Sequence, residues 1–78
     1  MNEKNKYLHN KQFHSNLKHL MLQNNTTVRE LAETVEVSEV TVHHWRQGRR
    51  YPSANNAFAL AELYKVSVDD LFRNQLIK

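Results

Sequence analysis

Apolar residues recur along this chain at helical spacing, in short stretches separated by polar residues that typically begin or end helices. The first stretch places four apolar side chains on one stripe of a helix: Phe13, Leu17, Leu20 and Met21. A polar cluster, residues 23–25, follows this stripe and includes two asparagines, which tolerate the left-handed backbone that ends a helix. The pattern therefore predicts a first amphipathic helix that ends near this cluster.

A second helix is predicted from a capping motif. Thr27 is followed three residues later by Glu30, and in this spacing each side chain accepts a hydrogen bond from a backbone N–H of the first turn. The apolar face of this helix has four members: Val28, Leu31, Ala32 and Val35. Ser38 is a second good N-cap, so a turn of about three residues separates this helix from the next one.

The third helix is short and has well-marked ends. It begins after Ser38, carries Val42 and Trp45 on one side, and ends at Gln47. Gly48, the only glycine in the chain, adopts a positive φ without steric cost and so closes the helix. We expect Trp45 to be a core residue rather than a stacking platform for bases, because it shares a face with Val42.

A basic loop, residues 49–52, follows and contains the only proline. A fourth helix is predicted from Ser53 or Ala54, and a short fifth helix after Ser67. We expect their inward side chains to be Ala57, Phe58, Leu60, Ala61 and Tyr64, followed by Val68, Leu71 and Phe72. The prediction is an all-α, compact bundle of five short helices over residues 13–73, preceded by a polar, disordered segment at 1–12 and followed by a tail or dimer contact at 74–78.

Length and composition limit the alternatives. With 78 residues the chain has room for one domain, and without cysteine it has no disulfide or thiolate metal site. No stretch approaches the roughly 18 apolar residues of a membrane span, and the polar start lacks the apolar core of a signal peptide. We therefore expect a cytoplasmic protein.

Positive charge is concentrated in two places. Four lysines lie in the first quarter of the chain, and three arginines cluster without an acid between them: Lys4, Lys6, Lys11 and Lys18, then Arg46, Arg49 and Arg50. The formal charge of +3 permits nucleic-acid binding, although a solvated surface explains such runs equally well. We interpret the N-terminal lysines as a plain tail, with an arm that follows the DNA groove as the alternative.

When two short helices are joined by a tight turn, the second helix can enter the major groove of DNA. The outer face of the third helix supplies four candidates for contact with bases: Glu39, Val40, His43 and His44. Glu39 can accept from a cytosine amino group, and Val40 suits a thymine methyl group. A metal site or a pH switch is the rival interpretation of the two histidines, but neighbours on a helix point about 100° apart and do not readily chelate one ion.

Phosphate contacts are expected around this helix. The candidates are the capping hydroxyls and the polar and basic residues at the helix end and loop: Thr27, Ser38, Thr41, Arg46, Gln47, Arg49, Arg50 and Tyr51. Helix N-termini offer free amides to phosphate oxygens, and arginines after the helix contribute affinity rather than specificity.

From Leu17 to Leu71 the sequence resembles the phage-repressor or Cro-like helix-turn-helix family, also called the xenobiotic-response-element (XRE) family. The resemblance rests on three motifs: Thr27-x-x-Glu30-Leu31-Ala32, then Ser38-x-x-Thr41-Val42-x-x-Trp45-x-x-Gly48-x-x-x-Pro52, then Leu60-Ala61-x-Leu63-Tyr64-x-Val66-Ser67-x-Asp69-x-Leu71. It implies a lambda-repressor-like bundle of five helices, sequence-specific binding to double-stranded DNA, and regulation of transcription.

Two positions depart from the family pattern. Val28 replaces a polar residue that often contacts DNA, which puts a side-chain contact there in doubt. Arg46 replaces a glutamate that often pairs with a basic residue of the first helix, where this chain has Met21. We therefore expect Arg46 to add positive charge near DNA.

The resemblance favours a transcriptional repressor. Because one copy of this size buries too little DNA surface for strong selectivity, we expect a homodimer on a two-fold operator with half-sites about 34 Å apart. The dimer candidates, some of which core packing would also explain, are Tyr64, Phe72, Leu76 and Ile77. The alternative is an antitoxin or adaptor whose main partner is another protein. No glycine-rich phosphate loop and no plausible carboxylate pair stand in the sequence, so we expect no enzyme and no cofactor.

Overall fold

Five α-helices follow one another with short connections in the computed structural model, which describes residues 11–73 and 76. They are α1 (Lys11–Gln23), α2 (Val28–Val35), α3 (Glu39–Gln47), α4 (Ala54–Tyr64) and α5 (Val68–Phe72). The described part of the chain contains no strand, which confirms the all-α prediction. Helix α1 begins at Lys11. Residues 11 and 12 are therefore helical, whereas the sequence predicted that they belong to a disordered segment. Residues 1–10 lie outside the described part.

The polar residues between the apolar stretches cap the helices as predicted. A serine or threonine hydroxyl accepts a backbone N–H three residues on at the start of α2 to α5: Thr27, Ser38, Ser53 and Ser67. Both α2 and α5 also have a complete capping box, made by Thr27 with Glu30 and by Ser67 with Asp70. These bonds satisfy amides that have no partner inside the helix.

More helices end at a residue with a left-handed backbone conformation than the sequence predicted. Gly48 has φ 76° after α3 and Asn25 has φ 55° after α1, as their residue types predict. Glu36 at φ 59° and Lys65 at φ 57° end α2 and α4 in the same way. Neither residue type favours this conformation, so sequence inspection did not find these two caps.

The core lies where the apolar stripes meet. Helix α1 packs against α3 and α5, α2 packs against α3 and α4, and α4 also packs against α5. The residues predicted to be inward and found buried are Phe13, Leu17, Leu20, Met21, Leu31, Ala32, Val35, Val42, Trp45, Ala57, Leu60, Ala61 and Leu71. Val28, Tyr64, Val68 and Phe72 are half-buried against this core.

Phe58 is not an inward residue, and its prediction was wrong. Ala57, Leu60 and Ala61 form the buried stripe of α4, and this leaves Phe58 on the outer side of the helix with 63% of its surface exposed.

One buried polar side chain was not predicted at all. Asn16 is fully buried in α1, where its Nδ2 donates to the backbone carbonyls of Asp70 at 2.9 Å and Leu71 at 3.1 Å. Its Oδ1 accepts from the backbone N–H of Leu76 at 3.1 Å. The side chain thereby joins α1 to the far end of the chain.

No helix within the described residues is both long enough and apolar enough to cross a membrane.

Candidate DNA-binding surface

The two central helices form a helix-turn-helix unit. Helix α2 ends at Val35, Glu36 turns the chain through its left-handed conformation, and the backbone N–H of Val37 donates to Ala32 at 3.0 Å. Helix α3 then begins at Glu39, so the connection has the short length that the sequence predicted. Packing of α3 against both α1 and α2 fixes its orientation in the domain.

Helix α3 separates its apolar side from its polar side. Val42 and Trp45 are buried, and the ring of Trp45 meets that of Phe13 edge-on with centroids 6.4 Å apart. Trp45 is therefore a core residue, as expected. The opposite side exposes four side chains at helical spacing: Glu39, Val40, His43 and Gln47.

Val40 stands out on this polar face because 60% of its surface is exposed. Exposing an apolar side chain to water is unfavourable, and this cost is relieved when the side chain contacts an apolar group such as a thymine methyl. His43 and Gln47 lie one turn apart on the same exposed stripe, although the sequence predicted a phosphate contact for Gln47.

His44 and Arg46 flank this stripe. Both are half-buried, and the His44 Nδ1 and the Arg46 Nε are shielded from solvent without a hydrogen-bond partner in the described part of the chain. His44 therefore lies at the edge of the exposed face rather than at its centre, unlike His43.

The capping hydroxyls are already engaged within the protein. The Ser38 Oγ accepts from the Thr41 backbone N–H at 3.1 Å and lies 2.9 Å from the Thr41 Oγ1. At the start of α2, the Thr27 Oγ1 accepts from the Glu30 N–H at 3.1 Å, and the Thr27 N–H donates to the Glu30 carboxylate at 2.9 Å. The bond from the Thr27 backbone N–H holds the pKa of the Glu30 carboxyl below its usual value, with a smaller effect from the Thr27 side chain.

The basic loop lies beyond the C-terminal end of α3. Gly48 is the left-handed cap of the helix, and the backbone N–H of Arg49 donates to His44 at 2.9 Å. The side chains of Arg49 and Arg50 are exposed, whereas the ring of Tyr51 packs on Phe13 with centroids 6.0 Å apart. The loop therefore exposes two consecutive arginine side chains directly after α3.

The dimer candidates occupy mixed positions. Phe72 stacks on Phe13 with centroids 4.9 Å apart and ring planes 13° from parallel, and Tyr64 and Leu76 also pack against the core. Burial of the Tyr64 phenol raises its pKa. Ile77 lies outside the described residues. The three described candidates therefore contribute to the core, whatever else they contact.

Within residues 11–73 and 76, no group of three or more His, Cys, Asp or Glu side chains is arranged to hold a metal ion.

Comparison with known proteins relates the whole unit to one family. The chain is 27% identical over 64 residues to the HTH-type transcriptional activator BcrR of Enterococcus faecalis; the match covers 82% of this chain and 31% of that protein. No solved structure gives a significant match. A helix-turn-helix family model matches residues 17–71, the same span over which the sequence resembles the XRE family. Because this match spans well over half of the chain, the protein belongs to the XRE-type helix-turn-helix family, as its sequence motifs predicted.

Proposed function

We propose that this protein regulates transcription by binding a specific double-stranded DNA site with α3 in the major groove. The observation that supports this proposal most strongly is the exposed stripe of α3, which consists of Val40, His43 and Gln47. Helices α1 and α2 pack against α3 and fix its orientation. An α-helix with its side chains is about 10–12 Å across, which suits a groove about 12 Å wide. The family match and the name of the E. faecalis relative support the same function.

The proposed base contacts follow from side-chain chemistry. Val40 packs on a thymine methyl group, and His43 and Gln47 form hydrogen bonds with base edges. Glu39, in the first turn of α3, accepts from a cytosine amino group and disfavours sites without one, because its carboxylate is otherwise repelled by phosphates. His44 contacts a base or a phosphate at the edge of this surface.

The proposed phosphate contacts surround this stripe. Arg49 and Arg50 supply most of the affinity, with a smaller contribution from Arg46. Thr27, Ser38 and Thr41 lie at the first turns of α2 and α3, where backbone amides and the positive end of the helix dipole also attract phosphate. Because their hydroxyls already serve as caps or bond to one, we assign them a supporting role.

Regulation would follow from occupancy of the operator. A repressor needs only to cover a promoter, which a small DNA-binding domain does without further contacts. The E. faecalis relative is named an activator, but this chain spans only 31% of that protein, so its direction of regulation does not carry over. We propose repression by a homodimer on a two-fold site, since one copy contacts too little DNA for strong selectivity.

Selection from random duplexes tests the proposal. The protein is mixed with random double-stranded fragments at several salt concentrations, and the bound fraction is sequenced. We expect enrichment of a two-fold motif with half-sites about 34 Å apart.

The matched control is the triple variant V40A/H43A/Q47A, which removes the exposed stripe and leaves the loop arginines. It should retain weak, salt-sensitive binding and lose the motif. Enrichment of no motif by the unmodified chain would contradict the specific-regulator proposal.

A further inference from the structure

The loop that carries Arg49 and Arg50 lies close to the first turn of α1 at both of its ends. At one end, Gly48 lies so near His14 that a β-carbon placed on the glycine would be 3.3 Å from the His14 Cδ2. At the other end, the ring of Tyr51 lies over that of Phe13, with centroids 6.0 Å apart and planes tilted by 58°. The two arginines are the only residues between these two points of contact.

The contact between Tyr51 and Phe13 connects the loop to the hydrophobic core. Phe13 is fully buried and also contacts the rings of Trp45 and Phe72. Tyr51 is 43% exposed, so more than half of its surface is covered even though it lies in a loop. Aromatic pairs at this distance contribute a stabilising free energy in addition to that from the apolar area that they bury.

We infer that Tyr51 is a positioning residue for DNA binding, whose ring holds Arg49 and Arg50 in place and whose hydroxyl does not need to contact a phosphate. The inference rests on the proposed function, and it replaces the phosphate contact that the sequence suggested for Tyr51. A loop ordered in advance loses less conformational entropy when its arginines meet the backbone.

Three substitutions separate the ring from the hydroxyl. Y51F keeps the ring and should bind duplex DNA within about twofold of the unmodified chain. Y51A removes the ring and should lower affinity about tenfold, by the same factor for every duplex, since the ordering cost of two arginines is of that size. The matched control F58A removes an exposed ring on the outer side of α4 and should leave affinity unchanged.

A double-mutant cycle tests whether Tyr51 acts through the arginines. In the R49A/R50A background, Y51A should cost less than about twofold, because there is nothing left to position. An equal loss in both backgrounds, or a loss in Y51F as large as in Y51A, would overturn the inference in favour of a direct contact.

A readout without DNA distinguishes this inference from the proposed function. Backbone ¹⁵N order parameters of Arg49 and Arg50 should fall in Y51A and stay constant in Y51F and F58A, while the helical circular dichroism of all variants is unchanged. Unchanged order parameters in Y51A would overturn the anchoring. If the unmodified chain bound no duplex while Y51A loosened the loop, the proposed function would fail and the anchoring would stand.

Discussion

At the scale of single residues, the turns of this bundle depend on left-handed backbone. Within residues 11–73, four helices end at residues with positive φ, and only one of these residues, Gly48, is a glycine. Residues with a β-carbon pay about 1 kcal/mol or more for this conformation. Glu36 and Lys65 bear that cost because their backbone N–H groups close α2 and α4 on carbonyls one turn back.

Gly48 should be the least replaceable of these residues. G48A forces a β-carbon into φ 76° and places it 3.3 Å from the His14 Cδ2, so we expect a loss of about 1–2 kcal/mol in the free energy of unfolding. Urea denaturation followed by circular dichroism measures this. The reverse substitution K65G, at another helix end with φ 57°, should be neutral or stabilising. Equal stability of G48A and the unmodified chain would show that the loop adapts without strain.

The capping carboxylate of α2 should make stability depend on pH. The folded-state pKa of Glu30 is lowered by the bonds from Thr27, so its contribution is present above the ordinary value of 4.5 and is lost as pH falls through the folded value. E30Q should therefore be less stable than the unmodified chain near pH 7, with a difference that shrinks below about pH 4. Thermal unfolding from pH 7 to pH 3 measures it.

The control for this titration is E62Q, which removes a carboxylate from the exposed side of α4 that belongs to neither capping box. Its difference from the unmodified chain should change less over the same range. A constant difference between E30Q and the unmodified chain would exclude the capping role.

At the scale of elements, the sequence predicted the helices and missed parts of their surfaces. Serine and threonine caps are local chemistry, so Thr27, Ser38 and Ser67 marked the helix starts without any knowledge of the fold. Phe58 was misplaced because an apolar residue beside a buried stripe looks inward until the packing partners are known. The bracing of the basic loop by α1 joins residues far apart in sequence, and no local pattern predicts such a contact.

The basic loop and the α3 stripe should have separable effects on binding. R49A/R50A removes two charges beyond the recognition helix and should weaken binding to all duplexes alike. Each lost phosphate contact should reduce the slope of log affinity against log salt by about 0.9. Titrations of a selected duplex and an unrelated duplex at four salt concentrations measure both effects.

The comparison variant is H43A/Q47A, which leaves the loop intact. It should lower the ratio of specific to non-specific affinity and leave the salt slope nearly unchanged. If R49A/R50A instead changed the preferred sequence, the assignment of these arginines to phosphate would be wrong.

At the scale of the whole molecule, Asn16 closes the fold. Its amide bridges α1 to the carbonyls at the end of α5 and to the backbone of Leu76, which are 54 to 60 residues away in sequence. Helix α5 has only five residues, too few to be stable alone, so this bridge and the stacking of Phe72 on Phe13 hold it in place. The same two contacts support the aromatic cluster on which Tyr51 rests.

Replacing Asn16 should therefore destabilise the protein more than its size suggests. N16A removes two buried donors and an acceptor, and the groups left behind cost about 1–3 kcal/mol in the free energy of unfolding, in addition to the cavity. The amide of Leu76 should also exchange with solvent faster than in the unmodified chain. N55A, at an exposed position of α4, is the matched control and should change stability by less than about 0.5 kcal/mol. Urea denaturation and hydrogen exchange measure the two effects, and an N16A variant as stable as N55A would show that hydrophobic packing alone holds α5 against α1.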